Sequence, residues 1–362
     1  MRAGRREKED ERGTMMKAWR AHAYGEGGNP ADTISKMTLD DVPVPVAGAG
    51  QVQIKVAFAA VNPIDWKLFS GGMHGICPVS FPYTPGFDLS GTVSAVGEGV
   101  SGFAVGDEVA VDIGLVESCK EPSPGFGPAG AFAEYATVPA ELVAKTHGVD
   151  LRAAAGLPLA GLTAYQALFT GNGTDFTGAP LGDLKSGQKV LVLGGSSAVG
   201  MYAVQLAKNA GLHVAATASG AMMPDGKTAK KDYVKTLGAD RVEDYTTDGW
   251  SDALKGQDFD LVFDCVGEDA YWTEVAPKVL KKGGKFISIA NFSPGTGADG
   301  LVFQNYLLKS NTEDLSKLMA MVKEGKLKVS VDSTVPLTEA PKALSKSMTM
   351  HSAGKLVVQI AA

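Results

Sequence analysis

A glycine-rich turn stands between a short apolar run and a helical pattern near the middle of the chain. The run covers residues 190–193, the turn follows as GGSSAVG over 194–200, and apolar residues recur at helical spacing over 199–210. A strand, a tight turn and a helix start in this order can bring backbone N–H groups against a pyrophosphate. The sequence therefore predicts a dinucleotide site here. The turn residues predicted to contact the dinucleotide are Gly194, Ser196, Ser197, Ala198, Val199 and Gly200.

The middle glycine of the expected spacing is missing from this turn. Gly194 and Gly200 match the ends of a G-x-x-G-x-x-G pattern, but Ser197 occupies its middle position. An ordinary strand-to-helix turn that uses glycine for positive φ would look the same locally, so the surrounding elements must decide. If the site exists, either the Ser197 hydroxyl contacts the pyrophosphate or the helix stands slightly farther from the strand.

Composition places the chain among ordinary globular proteins of two-domain size. It has 362 residues, of which 44% are hydrophobic and 20% charged, and a net charge of −6. The lack of a long basic run predicts no nucleic-acid partner, and no apolar stretch reaches the ~18 residues of a transmembrane segment. The cysteines Cys77, Cys119 and Cys265 have no metal-type or redox-type pair spacing, which indicates a reducing compartment and a cytoplasmic location.

The elements on either side of residue 163 follow different patterns. Before it, alternating runs such as 52–56, 91–97 and 108–111 predict a mostly β, barrel-like domain. After it, continuous apolar runs alternate with helical patterns, which predicts an α/β domain with a doubly wound parallel sheet. The predicted strands of that sheet are 190–193, 213–217, 241–243, 261–264 and 285–289. The other predicted elements are helices over 202–209, 230–237, 271–280 and 312–324, and strands near 329–331 and 355–360.

Seven sequence phrases, taken in their order along the chain, resemble one family. They are NPIDWK at 62–67, PGFDLSG at 85–91, GAFAEY at 130–135, LPLAGLTA at 157–164, the glycine turn, LGAD at 237–240 and GKLV at 354–357. Their order and spacing resemble the medium-chain dehydrogenase/reductase superfamily. Within it, the phrases are most similar to the zinc-independent quinone oxidoreductase branch, with its chloroplast envelope and alkenal reductase members.

The resemblance implies two domains and a tail. A GroES-like β-barrel catalytic domain would comprise residues 16–164 and 302–362, and a Rossmann NADPH-binding domain would comprise 165–301. Residues 1–15 mix basic and acidic side chains without an apolar core. That composition predicts a disordered, solvated tail and leaves organellar targeting open.

The positions that bind catalytic zinc in other members of the superfamily carry different side chains here. Asn62 stands where a Cys would be, Phe87 where a His would be and Ala160 where a second Cys would be. Catalytic zinc needs thiolate, imidazole or carboxylate ligands, which these residues do not supply. A structural zinc site needs four close cysteines, and residues 112–130 contain only Cys119. The sequence therefore predicts no metal site and a zinc-independent reaction.

The end of the second strand of the parallel sheet indicates which nicotinamide cofactor is used. NAD-specific sites place Asp or Glu there on the ribose 2′-hydroxyl, whereas this chain has Ser219, which can hydrogen-bond to a 2′-phosphate. Lys230 matches the basic residue that similar enzymes use on that phosphate, and Tyr245 matches a tyrosine near the adenosine. We therefore predict NADPH as the cofactor. The alternatives are a solvated helix face for the lysine and a half-buried loop aromatic for the tyrosine.

Asn62 is the predicted catalytic residue and also a predicted cofactor contact. The resemblance places it near the nicotinamide or the substrate carbonyl, where its amide can donate to a developing oxyanion. A plain turn residue before Pro63 is the alternative. Lys67 replaces a tyrosine of some bacterial relatives, and the sequence shows no clear general acid.

The remaining predicted cofactor contacts lie at strand ends or in later segments. Thr163 would touch the cofactor, or else cap and pack its helix. His351 and Lys355 would approach from the C-terminal segment, although a lone histidine is as compatible with a surface role. Ligands bind at the carboxyl ends of strands in open α/β sheets. The contacts predicted there are Val266, Gly267, Ile289 and Ala290.

Together these residues predict an NADPH-dependent, zinc-independent reductase. Hydride would pass to a small-molecule quinone or to the C=C bond of an α,β-unsaturated carbonyl compound (an enone). Two alternatives stay open, a non-catalytic NADPH-binding scaffold protein and a trans-acting enoyl reductase for polyketide or fatty-acid chains. Dimers are common among similar proteins, so a homodimer is also left open.

Overall fold

The computed structural model describes residues 14–71, 78–114, 130–170, 181–292 and 300–361, without the side chains of Ser70 and Thr170. The predicted tail up to residue 13, Cys77 and Cys119 lie outside these residues. Cys265 lies within them as a buried free thiol. In the described part of the chain, no helix is both long enough and apolar enough to cross a membrane.

The strands are numbered along the chain. They are β1 (Met15–Arg20), β2 (Thr38–Pro43), β3 (Gln51–Val61), β4 (Asp88–Val96), β5 (Glu108–Asp112), β6 (Tyr135–Pro139), β7 (Val143–Lys145), β8 (Lys189–Leu193), β9 (His213–Thr217), β10 (Arg241–Glu243), β11 (Phe259–Asp264), β12 (Leu280–Ser288), β13 (Val302–Asn305), β14 (Val331–Pro336) and β15 (Lys355–Gln359).

The α-helices are numbered in the same way. They are α1 (Pro30–Ser35), α2 (Pro63–Lys67), α3 (Leu151–Gly156), α4 (Pro158–Tyr165), α5 (Ala198–Asn209), α6 (Lys230–Thr236), α7 (Ala276–Val279), α8 (Thr312–Lys323) and α9 (Ala340–Met348). Short 3₁₀ turns cover Glu26–Gly28, Leu68–Ser70, Ala140–Leu142, Asp252–Leu254 and Leu337–Glu339. Two π-helical segments, Gln166–Thr170 and Tyr271–Val275, directly precede or follow helical turns.

The chain divides into two compact units. The first comprises Met1–Pro158, Thr334–Met350 and Leu356–Ala362, and the second comprises Leu159–Ser333 and His351–Lys355. Each unit contains one large sheet, and each is described separately below.

The first unit is built on antiparallel strands. Its sheet has the order β14-β15-β3-β4-β5-β7, with β6 also paired to β3, and β1 and β2 form a separate pair. The eleven-residue β3 alternates buried and less buried side chains over its first half, as a strand with one buried face requires. Because β3 ends at Val61, it places Asn62 directly at its carboxyl end.

The second unit contains a six-stranded parallel sheet. Its order is β10-β9-β8-β11-β12-β13, and every neighbouring pair is parallel. This is the doubly wound order, in which the direction of strand addition reverses between β8 and β11. Residues 190–193 are fully buried, as in a parallel sheet that is covered on both faces. The doubly wound parallel sheet predicted from the sequence is confirmed.

Aromatic packing holds one side of this parallel sheet. The centroid of the Trp272 ring lies 5.5 Å from that of Phe286 and 5.2 Å from that of Phe303, and both pairs pack edge to face. These side chains belong to a core cluster that includes Leu191 and Val262 of the central strands. Such ring pairs stabilise beyond the area that they bury. The cluster therefore fixes β12 and β13 against the centre of the sheet.

The two units differ from the predicted domain boundaries. β13 pairs with β12 as the sixth strand of the parallel sheet, and the second unit continues to Ser333 rather than ending at residue 301. This unit also begins earlier, at Leu159, and takes His351–Lys355 from the C-terminal segment. The difference at 302 arises because β13, with the sequence VFQN, has only two apolar residues in a row, so no continuous apolar run marks it as a strand of the parallel sheet.

Candidate cofactor site

The glycine turn joins β8 to α5 and contacts the end of β9. Gly194 has a φ of 81°, in the left-handed region that favours glycine. Its N–H donates to the Thr217 hydroxyl at 2.9 Å, and the Gly195 N–H donates to the Thr217 carbonyl at 2.8 Å. Thr217 is the last residue of β9. The two hydrogen bonds therefore fix the turn at the carboxyl edge of the sheet.

Gly200 and Ser197 set the start of α5. A Cβ on Gly200 would lie 2.1 Å from the Gly194 carbonyl oxygen, so only glycine permits this approach. Ser197 is the N-cap, and its hydroxyl accepts the Gly200 N–H at 3.0 Å. The middle position of the motif thus has a local role in capping the helix. Ser196 also lies in the turn, and Ala198 and Val199 open the helix.

The turn fits the pyrophosphate of a dinucleotide. Its walls are bare backbone at Gly194, Gly195 and Gly200, and a Cβ at any of them would come within 2.9 Å of a neighbouring atom. The N-terminus of the twelve-residue α5 adds partial positive charge. The three glycines therefore let the turn pack closely on its neighbours, and the N-terminus of α5 supplies the attraction for an anion.

Residues predicted to select the cofactor lie beyond β9 and β10. Ser219 is buried, and its carbonyl accepts the Lys231 N–H at 3.2 Å, which brings the start of α6 beside it. Lys230, the first residue of α6, donates from Nζ to the His351 carbonyl at 2.9 Å. Tyr245 follows β10 and is 40% exposed. The structure thus places Ser219 and Lys230 close together, with the C-terminal segment beside the lysine.

Asp244 is a carboxylate at this edge that sequence reasoning missed. Its Oδ2 lies 3.7 Å from Lys231 Nζ and 3.1 Å from the position of a Cβ on Gly220. The Thr246 hydroxyl is the main cause that holds the pKa of Asp244 below its ordinary value. Lys231 offsets a negative charge that would otherwise oppose a phosphate. Asp244 comes directly after β10, at the carboxyl end of a parallel strand, and this position was the sequence signal that could have identified it.

The loops after β11 and β12 contain the predicted contacts at the strand ends. Gly267 has a φ of 99°, and a Cβ there would lie 2.9 Å from the Ala290 Cβ, so the two loops touch. A Cβ on Gly194 would lie 2.8 Å from the Val266 side chain. The Ile289 N–H donates to the carbonyl of the last β11 residue at 3.1 Å. The structure therefore brings this loop pair and the glycine turn together at the switch point of the sheet.

A buried carboxylate and a buried hydroxyl hold the two loops. Asp264 Oδ1 accepts the N–H groups of Val266 at 2.9 Å and Gly267 at 3.1 Å, and its Oδ2 accepts the Ser288 hydroxyl at 2.7 Å. Ser288 Oγ accepts the backbone N–H groups two and three residues later, at 3.2 and 2.9 Å. Both side chains are fully buried. Burial raises the pKa of Asp264 above its ordinary value.

Thr163 and Lys355 also belong to the second unit. Thr163 is buried in α4, and its carbonyl accepts the Tyr306 hydroxyl. Lys355 is buried, and its N–H donates to the Ser330 carbonyl at 2.8 Å. These contacts fix both residues in the unit that carries the glycine turn. Contact of either side chain with a cofactor stays a prediction.

Asn62 lies in the first unit, between β3 and α2. Its Nδ2 donates to Asp88 Oδ2 at 2.9 Å and to the Ala60 carbonyl at 3.4 Å, and its own N–H donates to Asp65 Oδ2 at 2.6 Å. Asn62 is 2% exposed and Asp88 is fully buried. Donation from this amide to a substrate would have to displace the longer hydrogen bond. Asp88 was missed, although a charged residue inside the apolar phrase PGFDLSG was a signal.

The residues at the zinc-binding positions do not fit a catalytic zinc ion. Phe87 and Ala160 are each 1% exposed and offer only hydrocarbon. The Asn62 amide nitrogen is engaged with Asp88, and an amide is a poor ligand beside the thiolate and imidazole groups that zinc prefers. Across the described ranges, no three His, Cys, Asp or Glu side chains are grouped so that they could hold a metal ion.

Two family models match the chain in separate segments. The Alcohol dehydrogenase GroES-like domain matches residues 48–148, and Zinc-binding dehydrogenase matches residues 237–358. The first match covers most strands of the antiparallel sheet, and the second covers four strands of the parallel sheet, β10 to β13, together with β14 and most of β15.

Two relatives and one solved structure align with nearly the whole chain. Quinone-oxidoreductase QR1, chloroplastic, of Triphysaria versicolor is 34% identical over 96% of this chain and 99% of its own length. The NADPH-dependent alkenal/one oxidoreductase, chloroplastic, of Arabidopsis thaliana is 34% identical over 95% of this chain and 79% of its own length. A mycobacterial protein solved in complex with NADPH has a TM-score of 0.75 at 26% identity, covering 95% of this chain and 100% of that chain.

These matches confirm the resemblance and the GroES-like and Rossmann fold class that the sequence predicted. They agree with the antiparallel sheet of the first unit and with the doubly wound sheet of the second. The chain is an oxidoreductase that belongs to the medium-chain dehydrogenase/reductase superfamily, in the branch of the quinone oxidoreductases and alkenal reductases.

Proposed function

We propose that this protein is an NADPH-dependent, zinc-independent reductase of quinones or of the C=C bond of enones. The observation that carries the proposal is the edge of the parallel sheet, where the glycine turn and the loops after β11 and β12 meet at the switch point. In open α/β sheets this is where a nucleotide binds. In this proposal the second unit is the NADPH-binding domain, and the first unit is the catalytic domain that contributes Asn62.

The choice of NADPH rests on Ser219 and Lys230. No carboxylate follows β9 at the position of Ser219, where NAD-specific sites place one on the ribose hydroxyl. Lys230 carries an ammonium group with three donors, of which one is used by the His351 carbonyl. Lys231 neutralises the nearby Asp244. The balance of charge at this edge therefore favours a 2′-phosphate.

The residues of the site would bind, orient and polarise. The glycine turn would hold the pyrophosphate through backbone N–H groups, and Ser219 and Lys230 would hold the 2′-phosphate. When bound, NADPH supplies a hydride from its nicotinamide ring. Asn62, oriented by Asp88, would donate its amide hydrogen to the substrate carbonyl oxygen as negative charge develops there. Water can deliver the proton to carbon, so the reaction requires no dedicated acid.

Reduction of a quinone or an enone also fits the side chains at the zinc positions. Alcohol oxidation gains from a Lewis acid that favours the alkoxide, and neither Phe87 nor Ala160 can hold one. An activated C=C bond or a quinone already carries an electron-withdrawing carbonyl. Its reduction therefore needs positioning and hydrogen bonding more than a metal.

Turnover with defined acceptors tests the proposal. The purified full chain is mixed with NADPH or NADH and with quinones, short-chain and long-chain enones, and an enoyl thioester, and cofactor oxidation is followed by absorbance. We expect oxidation of NADPH with a quinone or an enone. Turnover of the thioester alone would favour the trans-acting enoyl reductase, and tight NADPH binding without turnover would favour the scaffold protein. Absence of NADPH binding would refute all three.

Lys230→Ala tests the cofactor assignment. We expect the KM for NADPH to rise about tenfold because a charge-assisted hydrogen bond is lost, with little change for NADH. Lys235→Ala is the matched control, since Lys235 lies in the last turn of the same helix. An equal effect on both cofactors, or an equal effect of both variants, would contradict the assignment.

Asn62→Ala tests the catalytic role. We expect kcat to fall about 100-fold, the usual cost of one donor to a developing oxyanion, with the Kd for NADPH unchanged. Melting followed by circular dichroism checks that the variant folds. A kcat equal to that of the wild type would leave Asn62 as a turn residue only.

Location and assembly remain predictions. The cytoplasmic location was inferred from cysteine usage, whereas both relatives described above are named chloroplastic. A fluorescent protein fused to the C-terminus of the full chain would distinguish a cytosolic from an organellar pattern. Light scattering would measure whether the chain forms the homodimer that the resemblance leaves open.

A further inference from the structure

We propose that Asp264 and Ser288 are positioning residues that set the nicotinamide end of the cofactor site. The inference rests on the proposed function, because it concerns how this chain binds the same cofactor. Neither residue belongs to the glycine turn, and neither was singled out by the sequence. Both end adjacent strands, where Asp264 and Ser288 stand opposite each other in the register of β11 and β12.

The direction of each hydrogen bond follows from the donors present. Ser288 Oγ accepts two backbone N–H groups, so its one hydrogen is left to donate to Asp264 Oδ2. Asp264 then accepts three donors, two of them N–H groups of the loop after β11. All three donors are satisfied only if both carboxylate oxygens of Asp264 act as acceptors. The carboxylate and the hydroxyl thus act as one unit that fixes two loops at once.

The loops held in this way meet the glycine turn. Gly267 touches Ala290 across the loop pair, and Val266 lies against Gly194. The Cys265 N–H donates to the carbonyl of Leu193, the residue before the turn, at 3.1 Å. Displacing the loop after β11 would therefore change the surface next to the glycine turn, where the pyrophosphate is proposed to bind. Ser219 and Lys230 instead lie in the segment between β9 and β10, so binding of the adenosine end should not change.

Asp264→Asn disrupts this unit without changing its size. The amide replaces one accepting oxygen by an NH2 group. If this group faces Ser288, it meets an oxygen that already accepts two N–H groups, and if it faces the loop, it meets two donors. In either orientation one loop loses its anchor. Ser288→Ala removes the hydroxyl and is the milder variant.

The test compares two ligands on the full chain. The Kd for NADPH is measured by the fluorescence of the bound cofactor, and the Kd for adenosine 2′,5′-bisphosphate, which carries only the adenosine end, by calorimetry. We expect Asp264→Asn to weaken NADPH binding about tenfold, the effect of one charge-assisted hydrogen bond, and to change the Kd of the bisphosphate less than about twofold. Ser288→Ala should act in the same direction and carries the test if Asp264→Asn does not fold.

Asp260→Asn is the matched control. Asp260 lies on the same strand at the opposite edge of the sheet, where it accepts from Gln188 and from the Lys189 N–H. This variant should leave both dissociation constants unchanged. Equal weakening of both ligands would show a general structural role and overturn the inference, as would unchanged NADPH binding in Asp264→Asn and Ser288→Ala. Failure of the wild-type protein to bind NADPH would instead refute the proposed function.

Discussion

The glycine turn and the loop pair after β11 and β12 lie at the same edge of one sheet but are held in different ways. The turn requires a residue without a side chain, since a Cβ on Gly200 would lie 2.1 Å from the Gly194 carbonyl oxygen. The loops require side-chain hydrogen bonds, because Asp264 and Ser288 accept four backbone N–H groups between them. Steric exclusion acts through one residue type, whereas a buried network needs two partners brought together by the fold.

Gly200→Ala should give the largest effect and break the turn. A helical glycine replaced by alanine ordinarily gains up to about 1 kcal/mol of stability. Here the new Cβ would overlap backbone that cannot move aside, so we expect a loss of about 3 kcal/mol in the free energy of unfolding. Denaturant titration measures this loss, and cofactor fluorescence should show NADPH binding weakened at least tenfold.

Gly48→Ala is the control for that variant. Its Cβ would meet only the end of the Gln51 side chain, at 3.2 Å. We expect a change within about 0.5 kcal/mol, as for other surface substitutions. If Gly200→Ala proved as stable as Gly48→Ala, the turn would not depend on the missing side chain.

A double-mutant cycle tests whether the loops after β11 and β12 are held independently of the glycine turn. Asp264→Asn and Ser288→Ala remove two ends of one hydrogen bond, so their effects on unfolding should differ from additivity by about 1–2 kcal/mol. Thr217→Val combined with Ser288→Ala should be additive within about 0.5 kcal/mol, because the two side chains anchor different segments. Strong coupling in the second pair would show that turn and loops form one network.

The parts of the fold that the sequence predicted well are those with local signals. The glycine turn, β8 and α5 follow from three short patterns that lie next to one another in the chain. The parallel sheet follows from continuous apolar runs that alternate with helical patterns. Residues 302–305 were placed outside the parallel-sheet domain because they contain no continuous apolar run, and their place depends on the pairing of β13 with β12.

The buried polar partners were not predictable in the same way. Asp264 and Ser288, which share a hydrogen bond, are 24 residues apart in the chain. Nothing in the local sequence distinguishes either residue from an ordinary strand end. Asp88 begins β4 and accepts a hydrogen bond from Asn62, which follows the neighbouring strand β3. Both pairs are set by strand register, which depends on the whole sheet. The sequence could name the residues at a strand end but not which of them holds another.

Thr217→Val gives a smaller test of the turn. The variant keeps the shape of the side chain but removes the oxygen that accepts the Gly194 N–H. We expect a loss of about 1 kcal/mol in the free energy of unfolding, since one backbone donor loses its partner. Thr217→Ser keeps the hydroxyl and should retain that hydrogen bond. If Thr217→Val and Thr217→Ser lose the same free energy, the turn is held by its backbone alone.

The smallest expected effect is a difference in pH dependence between the two ends of β11. At the amino end, burial alone would raise the pKa of Asp260, but hydrogen bonds from Lys281, Lys189 and Gln188 outweigh it and the pKa is lowered. At the carboxyl end, burial outweighs the hydrogen bonds and the pKa of Asp264 is raised. The two carboxylates of one strand should therefore affect stability with opposite sign as pH changes.

The sign follows from the change in proton binding on unfolding, where both carboxyls return to a pKa of about 3.9: Asp260 then binds a proton and Asp264 releases one. Stability from Asp260 is present above that value and is lost as pH falls through its lowered folded pKa. Stability from Asp264 is present below that value and is lost as pH rises through its raised folded pKa. Urea unfolding from neutral to acid pH should show the wild-type advantage over Asp260→Asn shrinking on acidification. The advantage over Asp264→Asn should grow over the same range, and parallel trends in the two variants would mean that burial does not dominate at the loop end of the strand.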